Sequence, residues 1–295
     1  MRSGWSDDEL GRLVRAGELG RLRRGAYVNG LLPDDSASVH RLLVRATVSG
    51  LRRPGVVSHQ SAAVLHGLPL WDVALDRVHV TRRPPAWNNT SGLLCGHVAR
   101  LRDDEVEEID GLSVTSAVRT ALDLARSLPL EAAVVALDAA LHSRVLDHDG
   151  LRARLFDIAG TPGSRSATRA ITFADGRSES VGESRSRVIL ARWGLAPSAL
   201  QFEVRSATGN LVGRTDFAWE ERRVVGEFDG RVKYGRLLTP GQHPGDAVFA
   251  EKRREDAIRD ESWGVVRWVW SDLSVPHRYA ARVRRALGRG GPGRG

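Results

Sequence analysis

The chain has 295 residues, of which 41% are hydrophobic and 27% are charged. This composition is typical of folded domains, and the length is enough for two or three of them. The single cysteine, Cys95, excludes an internal disulfide and a cysteine-rich zinc site. The formal net charge of +8 favours a polyanionic partner.

No run of residues reaches the roughly 18 consecutive apolar positions that a membrane-spanning helix needs. The N-terminal segment MRSGWSDDEL also lacks the apolar core of a signal peptide. We therefore expect a cytoplasmic protein without a membrane partner.

Residues 1–30 predict a helix followed by a short basic hairpin, which together form a partial winged-helix head. Ser6 and Glu9 have the spacing of a capping box, and an apolar stripe of helical period follows them. The segment from Leu19 to Val28 predicts two strands around the turn Arg23-Arg24-Gly25.

Residues 31–160 predict a mixed α/β middle domain without an internal repeat. The pattern predicts helices at 39–48, 58–67, 115–126, 130–142 and 149–158, and strands at 77–81 and 93–101. Ser58 is interpreted as the N-cap of its helix. The sequence Gly160-Thr161-Pro162-Gly163-Ser164 predicts a domain boundary, and a linker helix is expected within 161–178.

Residues 179–288 predict a C-terminal domain that begins with a helix at about 179–193. Strands are expected near 201–207, 211–219, 223–229 and 264–270, with a polar loop at 235–247 and a helix at 248–261. The Gly/Arg-rich segment 289–295 is expected to be a disordered tail.

Two of these strands carry carboxylates that a hairpin would bring together. If Glu221-Arg222 forms the turn, Asp216 lies opposite Glu227, and two-residue alternation places Asp229 on the same face. Opposed carboxylates repel each other, which a sheet tolerates when a cation lies between them. Oxygen ligands of this kind suit Mg²⁺ or Mn²⁺, and such a cation neutralises charge on a scissile phosphate.

A solvated surface is the alternative interpretation of these acidic residues. Charged residues are common on an exposed hairpin face, where Arg214 could pair with Asp229 across the strands. In the same way, Glu183 could form an i,i+4 pair with Arg187 on the preceding helix.

The order of the flanking motifs favours the metal site, because it resembles a known family. The motifs are Gly182-Glu183-Ser184-Arg185-Ser186-Arg187, the Asp216 strand, Glu227-Phe228-Asp229-Gly230, Glu251-Lys252-Arg253-Arg254-Glu255-Asp256 and Trp263-Gly264-Val265-Val266-Arg267-Trp268. In that order they resemble the Vsr-like (very short patch repair-like) branch of the PD-(D/E)xK nucleases. The resemblance implies a restriction-endonuclease-like α/β fold, with a mixed sheet flanked by helices, in which Asp216 and Glu227 hold Mg²⁺ or Mn²⁺.

The same resemblance implies roles for neighbouring residues. Glu183 would approach the metal from the first helix, and Asp229 occupies the third motif position, where many relatives have lysine. The chain has only two lysines, Lys233 and Lys252, and either is a candidate for the missing cation that stabilises the anion. Arg253 and Arg254 are predicted to face DNA phosphates.

The N-terminal part resembles a second family, the AbiEi family of type IV antitoxins. The resemblance is carried by Arg21-Leu22-Arg23-Arg24-Gly25-Ala26-Tyr27-Val28, by the segment from Ser58 to Leu70 and by the segment from Val114 to Asp123. It implies a helix at 7–16 in the DNA major groove, with five arginines that contact bases or phosphates: Arg12, Arg15, Arg21, Arg23 and Arg24. It also implies a cognate toxin encoded nearby as a partner. The alternative is that residues 5–28 only cap the middle domain.

Seven histidines show no zinc-ligand spacing such as HExxH, and they are interpreted as structural. They are His40, His59, His66, His79, His97, His142 and His148. Two functions therefore remain: a Mg²⁺-dependent DNA endonuclease centred on Asp216 and Glu227, or a non-enzymatic DNA-binding regulator of the antitoxin type with an inactive nuclease fold.

Overall fold

The computed structural model describes residues 5–86, 89–230 and 244–289. The chain divides into two compact units, of which the first comprises residues 1–136 and 145–172 and the second comprises 137–144 and 173–295. Lys233 lies outside the described residues, as do most of the predicted loop at 235–247 and the tail beyond residue 289. Within the described ranges, no helix is both long and apolar enough to cross a bilayer.

The first unit begins with a capped helix and a two-stranded hairpin. Helix α1 spans Asp7–Arg15, and Ser6 and Glu9 form the predicted capping box, with hydrogen bonds of 2.8 and 3.2 Å. Strands β1 (Leu19–Arg23) and β2 (Ala26–Asn29) pair antiparallel. The predicted helix and basic hairpin are therefore confirmed.

A six-stranded mixed sheet lies at the centre of the first unit, in the order β5-β6-β4-β3-β8-β7. Its strands are β3 (Val56–Val57), β4 (Val78–Arg82), β5 (Asn89–Ser91), β6 (Leu94–Val98), β7 (Val106–Ile109) and β8 (Leu112–Thr115). The sequence predicted β4 and β6 but missed the other four strands. Those four are two to four residues long, too short for an alternating pattern to be recognised.

The remaining helices of this part of the chain begin and end close to their predicted positions. They are α2 (Ser36–Val48), α3 (His59–Leu65), α4 (Ala117–Ser127), α5 (Leu130–His142), α6 (His148–Ala153) and α7 (Ser164–Phe173). The predicted helix at 149–158 is split, because a 3₁₀ turn at Arg154–Ile158 follows α6. Fully buried valines from helix and strand form the sheet's core, among them Val44, Val57, Val80 and Val114.

The second unit is built on a four-stranded mixed sheet in the order β12-β11-β10-β9. Its strands are β9 (Ala199–Arg205), β10 (Leu211–Trp219), β11 (Val224–Asp229) and β12 (Gly264–Val269), and its helices are α8 (Val181–Arg192), α9 (Pro244–Asp260), α10 (Trp270–Leu273) and α11 (Pro276–Arg289). Strand β10 pairs antiparallel with both β9 and β11, whereas β11 and β12 are parallel. The predicted α/β class, with a mixed sheet flanked by helices, is confirmed.

The connection between β10 and β11 differs from the predicted two-residue turn. Glu220–Arg222 forms a 3₁₀ turn, and Arg223 adopts a left-handed φ of 49°. Phe217 nevertheless pairs with Gly226, and Trp219 with Val224. These pairs are the predicted ones, because a loop lengthened by one residue at each end keeps the same register.

The two faces of this sheet have different partners. One face buries Phe217 and Trp268 against Tyr279 of α11, and the Trp268 indole donates to Ser186 Oγ at 2.8 Å. The other face packs Val225 against Ile258 of α9. Because side chains alternate along a strand, Asp216 and Glu227 lie on this second face, the one that α9 covers.

Candidate functional site

A pocket of about 200 Å³ opens beside the β10–β11 hairpin, and charged side chains of both signs line it. Its lining residues are Arg214, Asp216, Glu227, Phe228, Asp229, Glu251, Arg254 and Arg267. Three adjacent strands and helix α9 therefore contribute to one small polar site. Three carboxylates predicted from the sequence, Asp216, Glu227 and Asp229, lie in it together.

Among the described carboxylates that line the pocket, Asp216 is the one whose pKa is raised by its surroundings. Burial, and then the nearby negative charges of Glu183 and Glu227, raise the pKa of Asp216 to about 7, although a hydrogen bond from Phe228 acts in the opposite direction. That bond runs from the Phe228 backbone N–H to Asp216 Oδ2, at 2.7 Å. A proton or a cation at Asp216 would relieve the repulsion among these carboxylates.

The negative charge of Glu183 contributes to the raised pKa of Asp216, and local hydrogen bonds hold the Glu183 side chain in place. It is buried at the start of α8, where its carboxylate accepts from Ser180 Oγ at 2.7 Å, from Glu179 N at 3.0 Å and from Gln201 Nε2 at 2.9 Å. These bonds fix the carboxylate in one orientation near Asp216.

Glu227 is held by two arginines, one on each carboxylate oxygen. Arg254 donates to Oε1 at 2.6 Å, and Arg267 donates to Oε2 at 2.8 Å. Glu251 accepts from the same two arginines, so the four side chains form a closed network. The hydrogen bond with Glu251 raises the pKa of Arg254 above its usual range, which keeps the guanidinium charged.

The other predicted residues of α9 lie outside this network. Lys252 and Arg253 are exposed and are not among the side chains that line the pocket. Arg254, which was expected to face DNA, also donates to the backbone carbonyl of Arg214 at 3.2 Å. Its guanidinium is therefore engaged within the protein.

Asp216 is suited to hold a magnesium-like ion. The four predicted ligands, which are Glu183, Asp216, Glu227 and Asp229, are not close enough together to hold one ion jointly. Among the described residues, no three carboxylates bring their oxygens within 4.8 Å of one another. Mg²⁺ keeps several waters and commonly takes only one or two protein carboxylates. Asp216 can serve as such a carboxylate ligand. It is half-buried in a polar pocket, and a cation would offset the repulsion between its charge and those of neighbouring carboxylates.

Most of the N-terminal arginines predicted to contact DNA are exposed, and one is hydrogen-bonded within the protein. Arg12, Arg15, Arg21 and Arg24 are exposed, and the last two line a groove of about 560 Å³ between α1 and the hairpin. Arg23 instead donates to the carbonyl of Ala46 at 2.6 Å. Four of the five arginines predicted to contact DNA are therefore accessible.

Three histidines that sequence spacing did not single out lie together in the first unit. Ligating nitrogens of His59, His79 and His97 lie within 4.8 Å of one another. The residues are far apart in sequence: His79 and His97 meet through the pairing of β4 with β6, and His59 lies at the start of α3, so no local spacing marks them. Ser58, which was expected to cap α3, makes no side-chain cap bond; its Oγ accepts from Thr81 Oγ1 at 2.8 Å.

Comparison with known proteins identifies relatives without an assigned activity. No protein-family model matches the chain. The chain is 30% identical over 186 residues to an uncharacterized protein of Mycobacterium tuberculosis, found as MT2308 in strain CDC 1551 / Oshkosh and as Rv2248 in strain ATCC 25618 / H37Rv. The match covers 62% of this chain and 65% of each relative, so it spans less than two thirds of the relatives' length.

Proposed function

We propose that this protein is a metal-dependent DNA endonuclease whose reaction takes place at the Asp216 pocket. The observation that carries the proposal is the half-buried Asp216 carboxylate, whose pKa is raised to about 7 beside the charges of Glu183 and Glu227. Strongly perturbed carboxylates in polar pockets are typical of reactive sites. The helix–hairpin–helix–strand order of the second unit, α8 to β12, adds support.

The charges around the pocket favour a phosphodiester substrate. Arg214 is exposed on the pocket wall beside the carboxylates, and guanidinium groups bind phosphate oxygens in a planar, paired geometry. The net charge of +8 attracts a nucleic-acid polyanion. When bound, Mg²⁺ or Mn²⁺ would neutralise charge on the scissile phosphate and lower the pKa of an attacking water.

Five residues in and beside the pocket then have a defined task. Asp216 would hold the ion, and Glu183 keeps a negative charge close to it. Arg254 and Arg267 orient Glu227 through both of its oxygens. Arg214, which pairs with Glu179 at 2.9 Å, lies on the pocket wall, where it can contact a neighbouring phosphate.

Cleavage of supercoiled plasmid and single-stranded DNA in Mg²⁺ or Mn²⁺ tests this proposal. Asp216→Asn keeps the shape and an acceptor for Phe228 N–H, but it removes the charge. We expect cutting that requires the metal and falls at least about 100-fold in this variant. Asp256→Asn, on the exposed side of α9, is the matched control and should cut like the wild type. A folded wild-type protein that cuts neither substrate would overturn the enzymatic proposal.

The alternative proposal is a non-enzymatic DNA-binding regulator of the antitoxin type, with a cognate toxin as partner. The double arginine contact on Glu227 favours it, because those arginines occupy both oxygens of an expected metal ligand. For a regulator, Asp216→Asn should leave DNA affinity unchanged or slightly higher, since a charge that repels phosphate is removed. If the wild type and the Asp216→Asn variant both bind DNA and neither cleaves it, the result would support this second function.

A further inference from the structure

Two parallel strands of the first unit place metal-binding side chains on one face. In the β4–β6 pairing, His79 lies beside Cys95 and Thr81 lies beside His97. Because side chains alternate along each strand, these four residues share a face of the sheet. His59, the first residue of α3, stacks on the His97 ring with a centroid separation of 3.8 Å.

We propose that His59, His79 and His97 form a binding site for Zn²⁺ or a closely related transition-metal ion, separate from the acidic pocket at Asp216. Three imidazoles form a known zinc ligand set, in which water or another donor takes the fourth position. Such a set suits zinc and not magnesium, which prefers oxygen ligands.

The separation of His79 and His97 requires only a small adjustment for both to bind one metal, whereas the His59 ring, stacked on His97, has to turn. His79 Nδ1 and His97 Nε2 are 2.9 Å apart, whereas two nitrogens bound to one tetrahedral zinc at 2.0–2.1 Å lie about 3.3 Å from each other. One ring nitrogen from each of the three imidazoles lies within 4.8 Å of the other two. A movement of well under an ångström would therefore open this pair around an ion.

The local environment keeps these imidazoles in the neutral form that binds metals. Burial is the main cause that lowers the pKa of His79 to about 3, and burial also lowers the pKa values of His59 and His97. Neutral imidazole is the ligand form, so metal binding requires no net loss of a proton near neutral pH, but the proton between His79 Nδ1 and His97 Nε2 must move to the far nitrogen of its ring.

Neighbouring polar side chains are placed to orient the rings. Gln60 Nε2 lies 2.8 Å from His79 Nε2, and the two ends of an amide differ little in shape. With its oxygen turned to that position, Gln60 accepts from His79 Nε2–H and leaves Nδ1 for the metal. Ser58 Oγ contacts His59 Nδ1 at 3.0 Å.

Cys95 adds a soft donor, because its Sγ lies 3.6 Å from His97 Nε2. That thiol is close enough to be recruited as the fourth ligand.

The test is metal binding by the full-length, tag-free and reduced protein. Zn²⁺ affinity would be measured by competition with a chromophoric chelator, and coordination would be read from the visible spectrum of bound Co²⁺. We expect one equivalent per chain and the intense absorption bands of tetrahedral Co²⁺. His97→Asn should weaken Zn²⁺ binding by at least about 100-fold.

Two control variants separate this site from other metal ligands. His277→Asn removes an exposed histidine of the second unit, and Asp216→Asn alters the acidic pocket; both should bind zinc like the wild type. Folded wild-type protein without stoichiometric binding would overturn the site, as would unchanged affinity in His97→Asn. If His97→Asn does not fold, the wild-type Co²⁺ spectrum decides, and an octahedral spectrum overturns the proposal.

Discussion

The Asp216 carboxylate accepts a 2.7 Å hydrogen bond from the backbone N–H of Phe228, beyond the last regular pair of the hairpin, Phe217 and Gly226. A side chain on β10 thus supplies the acceptor for a main-chain donor on β11. The bond holds the carboxylate in place although burial and its acidic neighbours disfavour its charge. The ionised carboxylate of Asp216 therefore lowers the stability of the folded protein.

Replacement of Asp216 by asparagine should make the protein more stable at alkaline pH. The pKa of Asp216 is about 7 in the folded state and about 3.9 in an unfolded chain. Between these values the folded state binds the extra proton, so the contribution of Asp216 to the unfolding free energy falls as pH rises from about 4 to about 7 and is level above that. At about pH 8, Asp216→Asn should gain up to about 4 kcal/mol in unfolding free energy, at about 1.4 kcal/mol per pKa unit.

Urea unfolding of both proteins at about pH 5 and about pH 8 measures this difference, which should be clearly smaller at the lower pH. Asp256→Asn, the exposed control on α9, should match the wild type at both values. An Asp216→Asn variant that is less stable than the wild type at the higher pH contradicts the prediction.

A methyl group at Gly182 should disturb the same part of the site. A Cβ built on Gly182 would lie 1.9 Å from Phe228 Cε1, so the start of α8 or the Phe228 ring must move. We expect Gly182→Ala to lower the unfolding free energy by about 3 kcal/mol, as overpacking does. Gly288→Ala is the control, because no atom lies within 4 Å of its added Cβ; it should be neutral or up to about 1 kcal/mol more stable. Equal stability of the two variants would contradict the prediction.

The sequence predicted the elements whose pattern is long enough to be recognised. It located α5 and β10 to the residue, and alternation on β10 and β11 placed Asp216 and Glu227 on one face. It did not predict that Arg267 contacts Glu227. That contact depends on the parallel pairing of β11 with β12, which no local pattern specifies.

The histidine group was missed for the same physical reason. His79 and His97 come together because β4 and β6 are neighbours in a sheet, and that sheet's other four strands are too short to be recognised from their sequence. The only local signal was the alternation of Cys95 and His97 on one strand, which is common in half-buried strands.

A buried ion pair in the second unit should contribute far more to stability than an exposed one. Arg187 donates to Asp138 at 2.6 Å, with both side chains almost fully buried. Arg187→Ala leaves an uncompensated carboxylate and should cost about 3–5 kcal/mol. Arg205 pairs with Glu203 at the surface, and Arg205→Ala should cost less than about 1 kcal/mol. Chemical unfolding checks both values, and similar losses in the two variants would contradict the prediction.

The exposed hairpin arginines of the first unit should determine part of the salt dependence of DNA binding. Arg21 and Arg24 line the groove beside α1, and each neutralised phosphate contributes about 0.9 to the slope of log affinity against log salt. The double variant Arg21→Ala, Arg24→Ala should therefore reduce that slope by about 1.8.

Arg23→Ala should instead lower stability, because Arg23 donates to Ala46 O within the protein. DNA affinity measured over a range of salt concentrations distinguishes the two effects, with Arg205→Ala as a surface control. An unchanged slope in the double variant would mean that the DNA contacts lie elsewhere on the chain.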